Sequence, residues 1–114
     1  MAAVKVAIIG GGNLGQSIAE GLLASGFCKG TDIWMTRRNH AAIQHWKSRG
    51  IHVTDSNKEA VKAATVVILA VKPFQVAEVL AGFKKELTAK HILISVVTGV
   101  SVTDINALIG KKLS

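Results

Sequence analysis

Two rhythms of apolar residues alternate along the chain. Val4-Lys5-Val6-Ala7-Ile8-Ile9 is a short β-branched run ending in three glycines, the mark of a buried parallel strand that feeds directly into a turn. From Asn13 to Ala24 the residues Leu14, Ile18, Leu22 and Leu23 recur at helical spacing, and Ser25-Gly26 stops the helix. Thr31 to Thr36, holding Ile33, Trp34 and Met35, reads as a second strand, after which Asn39 or His40 opens a second helix carrying Ile43 and Trp46. Gly50 ends it, and Ile51-His52-Val53 alternates like a short third strand. Ser56-Asn57-Lys58-Glu59 has the S-x-x-E form of a capping box and predicts a helix to about Ala64. Thr65 to Val71 is apolar on both faces and is expected at the centre of a sheet. Phe74 to Lys85 places Val76, Val79, Leu80 and Phe83 on one helical face. Ile92 to Val97 makes a fifth strand, and Ser101-x-x-Asp104 caps a last helix with Ile105, Leu108 and Ile109 before Gly110.

Strand and helix alternate five times with no hairpin signal between them. That is the βαβ rhythm of an α/β, doubly wound parallel sheet with right-handed crossovers and helices on both faces. About five strands in the order 3-2-1-4-5 would open a ligand crevice at their carboxyl ends, where the connections from strands 1 and 4 diverge. Gly10 to Gly15, Thr36 to Asn39, Ala70 to Pro73 and Thr98-Gly99 all fall there.

Composition narrows the class. A length of 114 residues suits one domain, and 49% hydrophobic against 18% charged residues excludes a disordered chain. The longest unbroken apolar stretch is far short of the roughly 20 residues that span a bilayer, and no charged-then-apolar leader precedes the first strand. A soluble, cytoplasmic protein without membrane partners is expected. The single Cys28 has no disulfide partner, which agrees with a reducing compartment. A formal charge of +7 predicts attraction to polyanions: nucleic acid, an acidic partner or a highly charged coenzyme. The aromatics fall mostly at apolar or helix-face positions rather than interleaving with a basic patch, so no nucleic-acid partner is expected.

The candidate chemistry begins at Gly10-Gly11-Gly12-Asn13-Leu14-Gly15. A G-x-G-x-x-G spacing alone is weak, but here it follows a strand and opens a helix. Gly10 permits the tight turn, Gly12 lets the backbone approach a diphosphate, and Gly15 lets the helix pack closely. The free N–H groups and positive end of that helix then face the phosphates. Gly11, a third consecutive glycine with no helix propensity, also suggests close ligand approach. The bland alternative is a glycine-rich turn that binds nothing.

About 20 positions beyond the last glycine, a NAD-specific domain places an acidic residue for the ribose hydroxyls. Thr36 stands there, followed by Arg37 and Arg38, so a 2′-phosphate meets a hydroxyl and cationic forks. That points to NADP, as NADPH, with NAD bound more weakly if at all. Asn57 is placed to reach the adenosine end or simply to start a helix, and Lys72-Pro73 either lines the coenzyme groove or ends a strand. His40, His45, His52 and His91 are scattered without metal-ligand spacing, and no nucleophile elbow or Cys/His pair is present, so neither a metal nor a catalytic side chain is assigned.

With these residues in view, the chain resembles the amino-terminal coenzyme-binding domain of the pyrroline-5-carboxylate reductases. The likeness runs through Ile8-Ile9-Gly10-Gly11-Gly12-Asn13-Leu14-Gly15, Gly21-Leu22-Leu23-Ala24-Ser25-Gly26, Thr36-Arg37-Arg38-Asn39, Asn57-Lys58-Glu59-Ala60-Val61, Leu69-Ala70-Val71-Lys72-Pro73 and Ile94-Ser95 leading to Thr98-Gly99-Val100-Ser101. The resemblance implies hydride transfer from NADPH to the C=N bond of 1-pyrroline-5-carboxylate, a small-molecule imine, in proline biosynthesis. It further implies that Gly10 to Gly15 hold the diphosphate, Thr36, Arg37, Arg38 and Asn57 the adenosine phosphate end, Ala70, Val71, Lys72 and Pro73 the middle of the coenzyme, and Thr98 and Gly99 the nicotinamide. Val96-Val97-Thr98 is bulkier than the small residues usual in the family.

Family members continue into a helical domain that makes the homo-oligomer and most of the substrate pocket. Residues 1–114 are therefore expected to be a NADP-binding Rossmann domain that binds coenzyme and, alone, reduces substrate poorly or not at all. The alternatives are a Rossmann domain of another NADP-dependent reductase, β-hydroxyacid dehydrogenase-like or deazaflavin-dependent, and a non-catalytic NADPH-binding module.

Overall fold

The computed structural model describes residues 4–97; the Thr98-Gly99 pair and the last helix expected from Ser101 lie outside the described residues. Five strands, β1 (Val6–Ile9), β2 (Ile33–Thr36), β3 (His52–Thr54), β4 (Val66–Leu69) and β5 (Ile92–Ser95), pair in parallel in the order β3-β2-β1-β4-β5. Helices α1 (Asn13–Ala24), α2 (Asn57–Ala63) and α3 (Val76–Phe83) connect them. This is the order that the strand and helix rhythm predicts.

The alternation of side chains along each strand sorts the core into two layers. Ala7, Ile9, Val67 and Leu69 face α2 and α3, where Ala60, Val61, Val76, Leu80 and Phe83 close over them. Val6, Ile8, Ile33 and Met35 face α1 and the segment after β2, meeting Ala19, Ile43 and Trp46. All four residues of β1 are buried, because this strand has neighbours on both edges and cover on both faces. The middle place in the sheet thus belongs to β1. The longer apolar run expected there is β4, interior but one place off centre.

The helix expected after β2 is a 3-10 helix over His40–Arg49. Its two large apolar residues, Ile43 and Trp46, are three apart, the spacing that falls on one side of a three-residue turn, and both are buried. Arg49, one turn further, lies over the Trp46 ring at 5.2 Å and pairs with Glu20 of α1. That pairing holds the Glu20 carboxyl below its usual pKa, chiefly through the hydrogen bond from Arg49. Gly50 closes the segment at φ 87°, a left-handed conformation that a Cβ would strain.

The capping box before α2 is made on one side only. Ser56 Oγ accepts from the Glu59 amide at 3.2 Å, as expected. The Ser56 amide, however, donates to Thr54 Oγ1 at 3.1 Å, and the Glu59 carboxylate accepts from the same Thr54 hydroxyl at 3.4 Å. Thr54 at the end of β3 thus stands between the two partners of the motif. His91 is buried: its Nδ1 accepts from the Thr88 amide at 2.9 Å and its Nε2 donates to the Val61 carbonyl at 2.9 Å, tying the turn before β5 to α2. Cys28 is buried as well, and desolvation, reinforced by the nearby Asp32 charge, pushes its thiol pKa up and keeps it unreactive.

Strand β5 differs from the others. Leu93 packs into the α2 and α3 layer, but Ile92 and Ile94 are 49% and 43% exposed on the other face, beside Val66 and Ile68. Among the described residues no helix is long and apolar enough to cross a membrane.

Two substitutions test this packing in opposite directions. Phe83 is fully buried, so Phe83→Ala is expected to lower unfolding free energy by about 3–5 kcal/mol in urea denaturation. A Cβ on Gly21, inside α1, would meet nothing within 4 Å, so Gly21→Ala is expected to raise it by about 0.5–1 kcal/mol. A destabilised Gly21→Ala would show that α1 is not seated as described.

Candidate functional site

A groove of about 780 Å³ opens at the carboxyl ends of the strands. Its lining includes Gly10, Gly11, Gly12, Asn13 and Leu14 from the glycine loop, Thr36, Arg37, Arg38 and Asn39 after β2, Asn57 at the start of α2, and Ala70, Val71, Lys72 and Pro73 after β4. Segments separated by tens of residues meet here because parallel strands all end on the same side of the sheet. Gly15 does not line the groove but lies buried beneath the loop; Thr98 and Gly99 are outside the described residues.

Each glycine of the loop has its own cause. Gly10 takes φ +104°, and a Cβ there would sit 2.8 Å from the Ala70 carbonyl oxygen, so the turn from β1 demands glycine twice over. A Cβ on Gly15 would collide with the Gly10 carbonyl oxygen, which is how α1 comes to start so close to the turn. Gly12 is bare: nothing lies within 4 Å of where its Cβ would be. Gly11 lines the groove and has a further cause that the sequence did not show: a Cβ there would stand 3.1 Å from both Ile43 Cδ1 and Met35 Cγ, so packing against the core beneath the loop also favours glycine.

The loop's amides divide into two sets. Those of Gly10 and Gly11 donate to the Thr36 carbonyl at 3.2 and 2.6 Å and are spent on anchoring. The buried Thr36 also turns its hydroxyl oxygen toward the Gly10 amide at 3.4 Å, so this side chain serves the loop more than the open groove. Gly12 is the N-cap of α1 and no side chain caps the helix, which leaves the first-turn amides without intrahelical acceptors. No acidic residue occupies that turn either, so the positive helix end faces the groove unneutralised.

The two arginines are held differently. Arg37 is half-buried, its amide donating to the Thr54 carbonyl at 3.3 Å and its Nη1 to the Gly11 carbonyl at 3.4 Å. Arg38 is exposed and pairs with Glu78 of α3 at 3.1 Å; an exposed ion pair of this kind is worth little, so an anionic ligand can compete for it.

Asp55, Gln75 and Val79 also line the groove and escaped the sequence reading as site residues; Val96 and Val97, noted there for their bulk, line it too. The signal was available for Asp55, which directly follows β3 and so reaches the same carboxyl-end crevice as Thr36 and Arg37. Gln16 escaped it too. Its Nε2 donates to the Gly11 carbonyl at 2.9 Å while its Oε1 accepts from Trp46 Nε1 at 2.9 Å. Among the described residues no group of three or more His, Cys, Asp or Glu side chains could hold a metal ion.

Comparison with known proteins follows the same outline. A family model described as NADP oxidoreductase, coenzyme F420-dependent, matches residues 5–99. Pyrroline-5-carboxylate reductase 1 of Dictyostelium discoideum is 44% identical over 108 residues, 95% of this chain but 20% of that protein. The solved pyrroline-5-carboxylate reductase of Coxiella burnetii superposes with a TM-score of 0.88 at 34% identity, over 96% of this chain and 41% of that one. A Plasmodium falciparum pyrroline carboxylate reductase with NADP bound shares the fold at a TM-score of 0.81 and 22% identity, over 96% of this chain and 39% of that one. The resemblance read from the sequence is thereby borne out, and the chain spans between a fifth and about two-fifths of the proteins it matches. With residues 5–99 under one model, the chain belongs to the family of NADP oxidoreductases described as coenzyme F420-dependent.

Proposed function

We propose that this chain is the coenzyme-binding domain of a pyrroline-5-carboxylate reductase and that its groove holds NADPH. The observation that carries the reading is the pairing of an uncapped, unneutralised helix start with two arginines at the end of the neighbouring strand. The amides of Gly12, Asn13 and Leu14 suit a diphosphate, and Arg37 and Arg38 suit a 2′-phosphate where a NAD-selective groove would carry a carboxylate. Asn57 serves the adenosine end and Ala70 to Pro73 line the middle of the coenzyme, and the family resemblance assigns Thr98 and Gly99 to the nicotinamide. NADPH supplies the hydride for the C=N bond. The chain's own residues bind and orient the donor, and no side chain here is assigned to proton transfer.

The family description favours a second reading, hydride exchange between NADP and a deazaflavin coenzyme. Identity of 44% and 43% to proteins named pyrroline-5-carboxylate reductase supports the imine instead. So do the Ala70-Val71-Lys72-Pro73 and Thr98-Gly99-Val100-Ser101 segments. Further polypeptide, as in the longer relatives, would supply the substrate pocket and the homo-oligomer. Positioning of imine and donor supplies much of the rate in such reactions, so the 114-residue chain alone should bind coenzyme and reduce substrate poorly. A single cysteine, Cys28, with no second cysteine to pair with, suits a reducing compartment such as the cytoplasm.

Calorimetric titration with NADPH and NADH tests the reading. NADPH is expected to bind more tightly, and the Arg37→Ala, Arg38→Ala double variant to weaken it by about 10- to 100-fold, until the preference disappears. Equal affinities in the parent chain would overturn the NADPH assignment, and binding of neither coenzyme would overturn the oxidoreductase reading.

A further inference from the structure

We infer that Gln16 and Trp46 form a positioning relay that aims the Gly12 amide at the diphosphate, an inference that rests on the coenzyme reading above. The amides of Gly10 and Gly11 are already engaged with Thr36, so Gly12 carries the first amide of the loop left for a ligand. Where that amide points depends on a single peptide plane, the one joining Gly11 to Gly12. A glycine pair has no Cβ to restrict the plane's rotation, and local sterics leave it free to flip.

The relay removes this freedom. In a planar trans peptide the carbonyl and the amide point in opposite directions, so fixing one fixes the other. The Gly11 carbonyl accepts from Gln16 Nε2 at 2.9 Å, with Arg37 Nη1 more distant at 3.4 Å. The Gln16 amide is fixed in turn, because its Oε1 accepts from Trp46 Nε1 at 2.9 Å; an indole N–H can only donate, which settles which end of the amide faces the loop. Trp46 is itself immobilised, 6% exposed in the core cluster that also holds Ile43 and Met35, and covered by Arg49. Neither Gln16 nor Trp46 lines the groove. The Gly11 carbonyl is therefore held on Gln16, and the Gly12 amide, on the opposite side of the same peptide plane, is turned away from Gln16; Gly12 itself lines the groove, and the place of a Cβ on it is open.

The relay touches no ligand, and its effect is confined to the diphosphate. Gln16→Met keeps the length of the side chain and removes both hydrogen bonds. It is expected to weaken NADPH and NADH by the same factor, about tenfold, in calorimetric titration of the 114-residue chain. Adenosine 2′-monophosphate, which has the 2′-phosphate and no diphosphate, should bind the variant as it binds the parent. Trp46→Phe retains a buried ring and deletes only the indole N–H, so it should give a smaller loss with the same pattern across the three ligands. A structural role alone would instead lower all three affinities together, or none. Unchanged NADPH and NADH affinity in both variants, or equal loss of adenosine 2′-monophosphate, would overturn the relay while leaving the coenzyme reading standing. A parent chain that binds neither dinucleotide would overturn both.

Discussion

The two amides that the Thr36 carbonyl accepts are the contact on which the groove depends. They fasten the turn leaving β1 across the end of β2, and so decide where α1 begins. Without that anchor, three glycines in succession would have no reason to keep one shape. With it, the turn is compressed enough that Gly10 lies against Ala70 and Gly15 against Gly10, joining the ends of β1, β2 and β4 into one rigid rim. The anchor uses backbone groups at both ends, which makes it independent of the side chains that line the groove.

Much of this was legible in the chain because it follows from local rules. The bounds of α1, Asn13–Ala24, follow from the spacing of Leu14, Ile18, Leu22 and Leu23 and from Ser25-Gly26. The strand order follows from the strict alternation of strands and helices, and it then delivers the groove, since four stretches distant in sequence must end at the same edge. The reading failed where tertiary neighbours decide. Gly11 packs closely on Ile43 and Met35, and no spacing rule within the loop contains those two residues. Thr54 intervenes in the box of Ser56 and Glu59 because β3 happens to end beside them. Gln16 looks like an ordinary polar helix residue until Trp46, thirty positions away, is brought against it. The longer run of β4 outshone β1 in sequence, yet β1 has the more enclosed place, because burial depends on neighbours and length does not.

The 3-10 segment over His40–Arg49 joins fold and site in a way that neither would reveal alone. Its outer residues reach α1 through Arg49 and Glu20, its inner ones fill the space under the glycine loop, and Trp46 does both by packing with one part of its ring and donating with another. Tight winding suits this duty. A three-residue repeat stacks Ile43 and Trp46 in a narrow file, where an α-helix would spread them round a wider cylinder.

The outer strand has a different lesson. Among the described residues, Ile92 and Ile94 present branched aliphatic side chains on a sheet margin whose backbone is paired on one side only, the arrangement through which sheets recruit further strands. An excess of seven positive charges makes such chains repel one another and so opposes pairing through that margin. Ionic strength thus acts on two fronts: salt that loosens an anionic guest from the cleft also lets neighbouring molecules approach edge to edge.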